Sequence, residues 1–292
     1  MTSTQNSTAS RVLIAGCGYV GTALGEQLAA EGHDVFGLRR EVSLLPKAIR
    51  PVAADLSRAD TLRDLPGPFD IVFYTAGSAG HTDEAYRAAY VEGLRNVLDA
   101  LGALPSPPRR VIFTSSTAVY AQTDGGWVDE NSPTEPDSFS GRRLLEAERM
   151  LAESPFETVS LRLGGIYGPG RTGLIDRVRR GDARRELGRV RYLNLIHRDD
   201  IVGALMHLMR IENPGNIYVG VDDEPQEYNA LVEWIAEKIG VAPPPFSDQP
   251  QTRGRAAHSR RCSNTRLRES GYSFVYPSCK QGYAELMGKI PS

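Results

Sequence analysis

Apolar positions in the first half of the chain follow two alternating rhythms. Short runs such as "RVLIAG", "DVFGLR", "RPVAAD", "DIVFYTAG", "RVIFTSS" and "ETVSLRLG" are largely apolar and bounded by glycine, proline or charge. That is the pattern of strands buried on both faces. Between them, Val20, Leu24 and Leu28 recur at helical spacing in "YVGTALGEQLAAEG". Tyr86, Tyr90, Leu94, Val97, Leu98 and Leu101 make a second stripe, which the prolines of "LPSPPRR" end. "SFSGRRLLEAERML" is a further amphipathic helix. Strands alternating with helices predict an α/β fold, a doubly wound parallel sheet with right-handed crossovers, over residues 11–165.

After Gly164 the texture changes. "GIYGPGRTG" is a glycine-rich loop, and "RVRRGDARRELGRVR" is a basic helical or loop segment. "DDIVGALMHLM" and "YNALVEWIAEKIG" have helical spacing, "GNIYVGV" reads as a strand, and a last short helix falls near "KQGYAELM". These predict a smaller C-terminal lobe over residues 166–292, partly interleaved, with segments around 193–220 returning to the first domain. Residues 1–10, "MTSTQNSTAS", are polar throughout and predict a frayed tail.

A chain of 292 residues has room for one large domain carrying such a lobe. Its net charge of −2 supplies no global field toward nucleic acid or an anionic membrane. No apolar stretch is long enough to cross a bilayer, and the first residues lack the apolar run of a secretory signal. Cys17, Cys262 and Cys279 suit neither a disulfide framework nor a zinc site, and His33, His81, His207 and His258 show no ligand spacing. The expectation is a cytoplasmic protein without a metal and without a nucleic-acid or membrane partner.

"AGCGYVG" places Gly16, Gly18 and Gly21 at GxGxxG spacing, directly after a strand and opening a helix with Tyr19 and Val20. There, glycine lets the backbone approach a pyrophosphate, and the helix N-terminus supplies free N–H groups and positive partial charge. A carboxylate at the end of the second strand would receive the ribose 2′-hydroxyl of NAD. This strand ends instead in "GLRRE", and Arg39 and Arg40 suit the 2′-phosphate of NADP, with NAD the second choice; the alternative, with Glu41 nearby, is two solvated surface arginines. Asp55, in "AADLS" with Leu56, stands either toward the adenine amino group or at a helix N-terminus. Ala76 and Gly77 of "YTAG" fall on the cofactor's ribose side.

The order "GCGYVG", "ADL", "TAG", "FTSSTAVYA", "LRLGGIYGPGR" and "IHRDDIVGAL" resembles the extended short-chain dehydrogenases/reductases, a superfamily that includes NAD(P)-dependent epimerases and dehydratases. "GNIYVGVDDEP" and "SNTRLRESGYSFVYPS" look more like an atypical bacterial branch. The resemblance implies a Rossmann-like fold, an NAD(P) cofactor, a small-molecule substrate and, by default, a homodimer. It also implies a serine, a tyrosine and a lysine four residues after that tyrosine. Ser116 matches the serine role, with Ser115 the nearest substitute.

The other two are missing. One register puts Ser140 and Leu144 at the tyrosine and lysine positions; the other puts Phe139 and Arg143 there. Neither pair has a phenol and an amine. Tyr86, Tyr90, Tyr120 and Tyr167 are tyrosines that remain as substitutes. By the same resemblance, Tyr120, Tyr167, Arg171, Asn194 and His197 line the substrate side. The basic run from Arg177 to Arg191 reads as a solvated face, with a diphosphate substrate as the alternative. Two functions compete: an NADP-dependent oxidoreductase, epimerase or dehydratase acting on a hydroxyl or carbonyl of a small molecule such as a nucleotide sugar, and a catalytically silent NAD(P)-binding regulator or sensor.

Overall fold

The structure, a computed structural model, describes residues 9–188, 190–247 and 259–289. Most of the segment expected as a tail, and His258, lie outside the described residues. The chain opens with β1 (Arg11–Ala15), α1 (Tyr19–Ala30), β2 (Asp34–Arg39), β3 (Arg50–Ala53) and β4 (Ile71–Tyr74). Then follow α2 (Asp83–Tyr86), a π turn (Arg87–Glu92), α3 (Gly93–Gly102), β5 (Arg110–Ser116), β6 (Trp127–Val128), α4 (Phe139–Ala152) and β7 (Glu157–Leu163). The remainder is β8 (Gly165–Tyr167), α5 (Gly173–Arg179), β9 (Tyr192–Leu193), β10 (Leu195–His197), α6 (Arg198–Arg210), β11 (Ile217–Gly220), β12 (Gln226–Glu227), α7 (Tyr228–Ile239), β13 (Arg261–Cys262), α8 (Thr265–Glu269) and α9 (Cys279–Gly288).

Seven strands form the main sheet in the order β11-β7-β5-β4-β1-β2-β3. β1 pairs parallel with both β2 and β4, β2 with β3, and β4 with β5. The apolar runs thus become a parallel sheet, and Val12, Leu13, Ile14, Phe73, Val111 and Ile112 are fully buried in it. Burying each such side chain contributes about 1.5–3 kcal/mol. The order reverses between β1 and β4, which makes the carboxyl ends of these two strands the switch point where ligands bind in open α/β sheets.

The stripe expected as one long helix is interrupted. Gly93 N–H bonds Ala88 O, five residues back, instead of Ala89 O. Ala89 O accepts instead from the phenol of Tyr74, the last residue of β4. A Cβ at position 93 would stand 2.6 Å from that phenol oxygen. A buried tyrosine competing for a helix carbonyl is therefore what opens the π turn, and periodicity carries no sign of it.

The chain divides into two compact units. One takes the chain up to Thr114, Arg143–Ser160 and Leu205–Asn216; the other takes Ser115–Arg142, Leu161–Ala204 and the chain from Ile217 on. The second has its own core, in which Tyr167 and Ile175 pack with Leu231, Val232 and Ile235 of α7 and Tyr283 of α9.

Candidate cofactor site and active site

In the first unit the glycine loop is built as a close approach. Gly16 has φ +84°, and a Cβ there would lie 2.4 Å from Ala76 Cα. A Cβ on Gly21 would meet Thr75 Oγ1 at 2.6 Å. These two glycines are demanded by the protein itself, which seals the β1 exit against the β4 exit. Gly18 and Gly77 differ. A Cβ on Gly77 would meet nothing, and one on Gly18 only Gly16 O at 3.8 Å. Their bareness leaves open a face that an outside group can approach.

That face is the N-terminus of α1. Gly18 is its N-cap, no side chain caps it, and no acidic residue stands in its first turn. Uncapped N–H groups with the positive end of the helix dipole suit a phosphate. Tyr19 is half-buried at the start of the helix, and Val20 faces the core. The residues present therefore fit a dinucleotide, which the loop Gly16–Gly21 would hold with Ala76 and Gly77 alongside.

Around the far end of that site, Arg39 Nη1 donates to Cys17 O at 3.2 Å, which anchors its guanidinium beside the loop. Arg40 is exposed. The Glu41 carboxylate accepts from Ser43 Oγ at 2.6 Å and Ser43 N at 3.2 Å, and these bonds hold its carboxyl below the usual range. Asp55 accepts from Ser57 Oγ at 2.8 Å and Ser57 N at 3.0 Å, a local turn that likewise lowers its carboxyl. Leu56 O accepts from Asn96 Nδ2 at 2.9 Å, tying this corner to α3.

The residues at the two catalytic registers are committed to packing. Ser140 is buried, its Oγ 3.2 Å from Ser138 Oγ, and Leu144 is buried. Gly141 between them lets α4 press on the segment after β5, since a Cβ there would lie 2.3 Å from Ala118 O. Arg143 is bound on both edges, bidentate to Asp83 at 2.8 Å and 2.8 Å, and to Glu146 at 2.9 Å. Those carboxylates hold its charge firmly. Phe139 begins the helix. Ser116 Oγ accepts from Ala118 N–H at 3.2 Å, capping the short turn after β5.

In the second unit, the substrate-side residues part company. Tyr167 and Arg171 line a cleft of about 480 Å³ together with Thr172, Leu174, Leu195 and Tyr283. Thr172 Oγ1 donates to Asp176 Oδ2 at 2.7 Å on its wall. Tyr120 does not stand free. Its ring is buried, its phenol donates to Asp129 O at 2.7 Å, and it accepts from Arg162 Nη1 at 2.9 Å. Burial pushes its ionisation far up.

Asn194 uses its amide as a backbone surrogate, donating to Arg260 O at 3.0 Å and accepting from Cys262 N at 2.7 Å. It splices β13 into the lobe. His197 is buried between Tyr276 and Tyr167, with ring centroids at 4.1 Å and 5.1 Å, and its Nδ1 accepts from Asp199 N at 3.2 Å. Burial depresses its ionisation, so the ring packs as a neutral imidazole. Within the basic run, Arg180 pairs with Asp182 at 2.8 Å, Arg191 with Glu186 at 2.6 Å, and Arg185 with Glu233. Arg189 lies outside the described residues.

Sequence reading missed three buried ionisable groups. Arg110, Asp200 and Asp222 are at most 2 % exposed. Asp200 accepts from Val275 N at 2.7 Å, Tyr276 N at 3.0 Å and Tyr272 Oη at 3.0 Å, clasping the "YSFVY" segment. No spacing rule could have found these partners. Among the described residues no helix is long and apolar enough to cross a membrane, and no cluster of three metal-ligating side chains occurs.

Known proteins are similar to this chain. Protein YeeZ of Escherichia coli is 29% identical over 281 residues, covering 91% of this chain and 96% of its own. A 3-diazoavenalumate denitrifying reductase from a Streptomyces species is 29% identical over 302 residues, covering 93% of this chain and 98% of its own. A solved structure from Methylobacillus flagellatus, assigned to the NAD-dependent epimerases/dehydratases, superposes with a TM-score of 0.81 at 35% identity, covering 96% of this chain and 98% of that one. Residues 12–220 match the sequence description of one family. By that match, its Rossmann-like sheet and these relatives, the chain belongs to the NAD dependent epimerase/dehydratase family, of the extended short-chain dehydrogenase/reductase type.

Proposed function

We propose that this protein is an NADP-dependent oxidoreductase, epimerase or dehydratase acting on a hydroxyl or carbonyl of a small molecule, with nucleotide sugars among the classes that fit. The observation carrying this reading is the open cradle at α1, where Gly18 and Gly77 lack side chains that the protein itself would tolerate. The nicotinamide group, when bound, supplies or accepts a hydride. Gly16, Gly18, Tyr19, Val20 and Gly21 would hold the pyrophosphate, and Asp55, Leu56, Ala76 and Gly77 the adenine and ribose sides. Arg39 and Arg40 would hold a 2′-phosphate. The name of the Streptomyces relative, a reductase similar over nearly its whole length, favours reduction over epimerisation.

In this reading Ser116 steadies the substrate oxygen, and the cleft at Tyr167 and Arg171 takes the rest of the substrate. The standard tyrosine and lysine are absent, since Ser140, Leu144, Phe139 and Arg143 stand in their registers. The protein acts in the cytoplasm, where its three buried cysteines persist as free thiols, and as a homodimer, which light scattering at micromolar concentration tests.

NADPH is expected to bind at least about tenfold more tightly than NADH, the worth of one charge-assisted hydrogen bond to a 2′-phosphate. Arg39→Asp should remove or reverse that ratio. An unchanged ratio in calorimetric titrations would mean that the cofactor assignment is wrong.

One observation favours the silent regulator as a second reading. Arg143 is saturated by two carboxylates and Ser140 is buried, so neither residue supplies the proton that the missing tyrosine would have carried. That reading requires tight NADP(H) binding with no substrate oxidising or reducing the nucleotide.

A further inference from the structure

The missing phenol directs attention to the tyrosines that remain. Of the four tyrosines nominated from the sequence, Tyr120 and Tyr167 are 1 % and 2 % exposed, and Tyr86 is 8 % exposed. Tyr120 has spent its hydrogen-bonding capacity on Asp129 and Arg162. Tyr90 alone among them is half-buried rather than buried. It sits inside the π turn, its ring 5.3 Å from that of Tyr86 and 6.4 Å from that of Phe113 on β5.

The position is a built one. Tyr74 ends β4, so its phenol, bonded to Ala89 O, pins the π turn at the carboxyl edge of the sheet. Next along the chain, Thr75 Oγ1 donates to Gly16 O at 3.0 Å, and Ala76 closes on Gly16. One strand exit therefore contacts both the glycine loop and the turn that carries Tyr90. A π turn forgoes regular helix bonding, and such turns are frequent at functional sites.

We propose that the Tyr90 phenol is the proton-transferring group of this site, taking the role that Ser140 and Phe139 cannot fill. The inference rests on the cofactor reading above. In the reducing direction the substrate's carbonyl carbon gains a hydride from the reduced nicotinamide, which is oxidised. The Tyr90 O–H bond breaks, its proton forms a new O–H bond on the substrate oxygen, and the phenolate regains a proton from water. The π turn, held by Tyr74 and Gly93, positions the phenol.

The test needs no substrate. Tyrosinate absorbance near 295 nm is titrated from pH 7 to 11 with and without saturating NADP+, in the full chain and in its Tyr90→Phe and Tyr86→Phe variants. Calorimetry on the same samples monitors binding. A cationic nicotinamide beside the phenol is expected to shift one tyrosine's ionisation down by about one pH unit. That shift should vanish in Tyr90→Phe and persist in Tyr86→Phe, while both variants still bind NADP+. Binding without any shift, or a shift that survives Tyr90→Phe, overturns the proposal and leaves the cofactor reading standing. Absence of binding in the unsubstituted chain overturns the cofactor reading itself.

Discussion

Replacing Arg110 with methionine is expected to destabilise the protein by about 2–4 kcal/mol, since each buried acceptor left without a donor costs about 1–3 kcal/mol. Arg110 begins β5 and is fully buried. Its Nε and Nη2 pair bidentately with Glu157 at 2.9 Å and 2.8 Å. Its Nη1 donates to Leu208 O at 2.6 Å, Met209 O at 3.1 Å and Ile211 O at 2.9 Å, and Nη2 also reaches Glu212 O at 3.3 Å. These carbonyls close the last turn of α6 or follow it, where a helix runs out of its own donors and its dipole is negative. One guanidinium thus caps a helix and neutralises a carboxylate. Methionine fills the volume but leaves the buried carbonyls of Leu208 and Met209 without this donor. Lysine, with charge but no planar fork, should recover only part of the loss. Urea unfolding of the three proteins checks this, and a loss below about 1 kcal/mol for methionine would contradict the capping role assigned to Arg110.

The second large effect is a pH dependence carried by Asp222. The residue follows β11 and is 2 % exposed, and its carboxyl faces the backbone amides of Cys279 and Glu224. Burial, with the nearby charges of Asp223 and Glu224 adding to it, pushes the carboxyl up to about 8. Attraction from the amides of Cys279 and Glu224 acts the other way and is outweighed. The folded protein therefore keeps this proton until about pH 8, whereas the unfolded chain releases it near 3.8. Between those values the native state binds more protons than the unfolded state. Stability must then fall as pH rises, by about 1.4 kcal/mol per pH unit for one proton.

Asp222→Asn keeps the shape and removes the titration. Its stability relative to the parent should grow steadily from pH 5 to pH 8, as read from urea midpoints at each pH. Parallel curves for the two proteins would show that Asp222 is charged or solvated. The surrounding Tyr167, Tyr283 and Cys279 are all raised by burial well beyond this window, and they are common to both proteins. His197 and Asp200, whose ionisation burial also perturbs, are likewise unchanged by the substitution.

The two residues also mark how far a sequence can be read. Strands β1, β2 and β5 match the apolar runs almost residue for residue, because burial on both faces leaves a local signature. The glycine loop was equally legible, since close backbone approach restricts residue type at the loop itself. The stripe from Tyr86 to Leu101 was legible as a helix but not as a broken one. Its break depends on the Tyr74 phenol, which arrives from another element. Asn194 and His197 were nominated by resemblance to line a substrate. In the structure one joins β13 to its neighbours and the other packs between two tyrosine rings. A polar side chain in a loop looks the same in sequence whether it waits for a ligand or completes the protein's own backbone bonding.

What the sequence by itself determined is the parallel α/β sheet and the tight glycine bend after β1. Both follow from short-range periodicity and from glycine at fixed offsets, which any segment displays without its partners. Tertiary structure alone decided the rest: that Arg143 is spent on Asp83, 60 positions away, that Arg110 caps a helix 98 positions away, and that Asp222 is buried so that its carboxyl ionises late. Charge and protonation in a folded protein depend on burial and on neighbours brought together by the chain's return, and no local pattern records which neighbours those are.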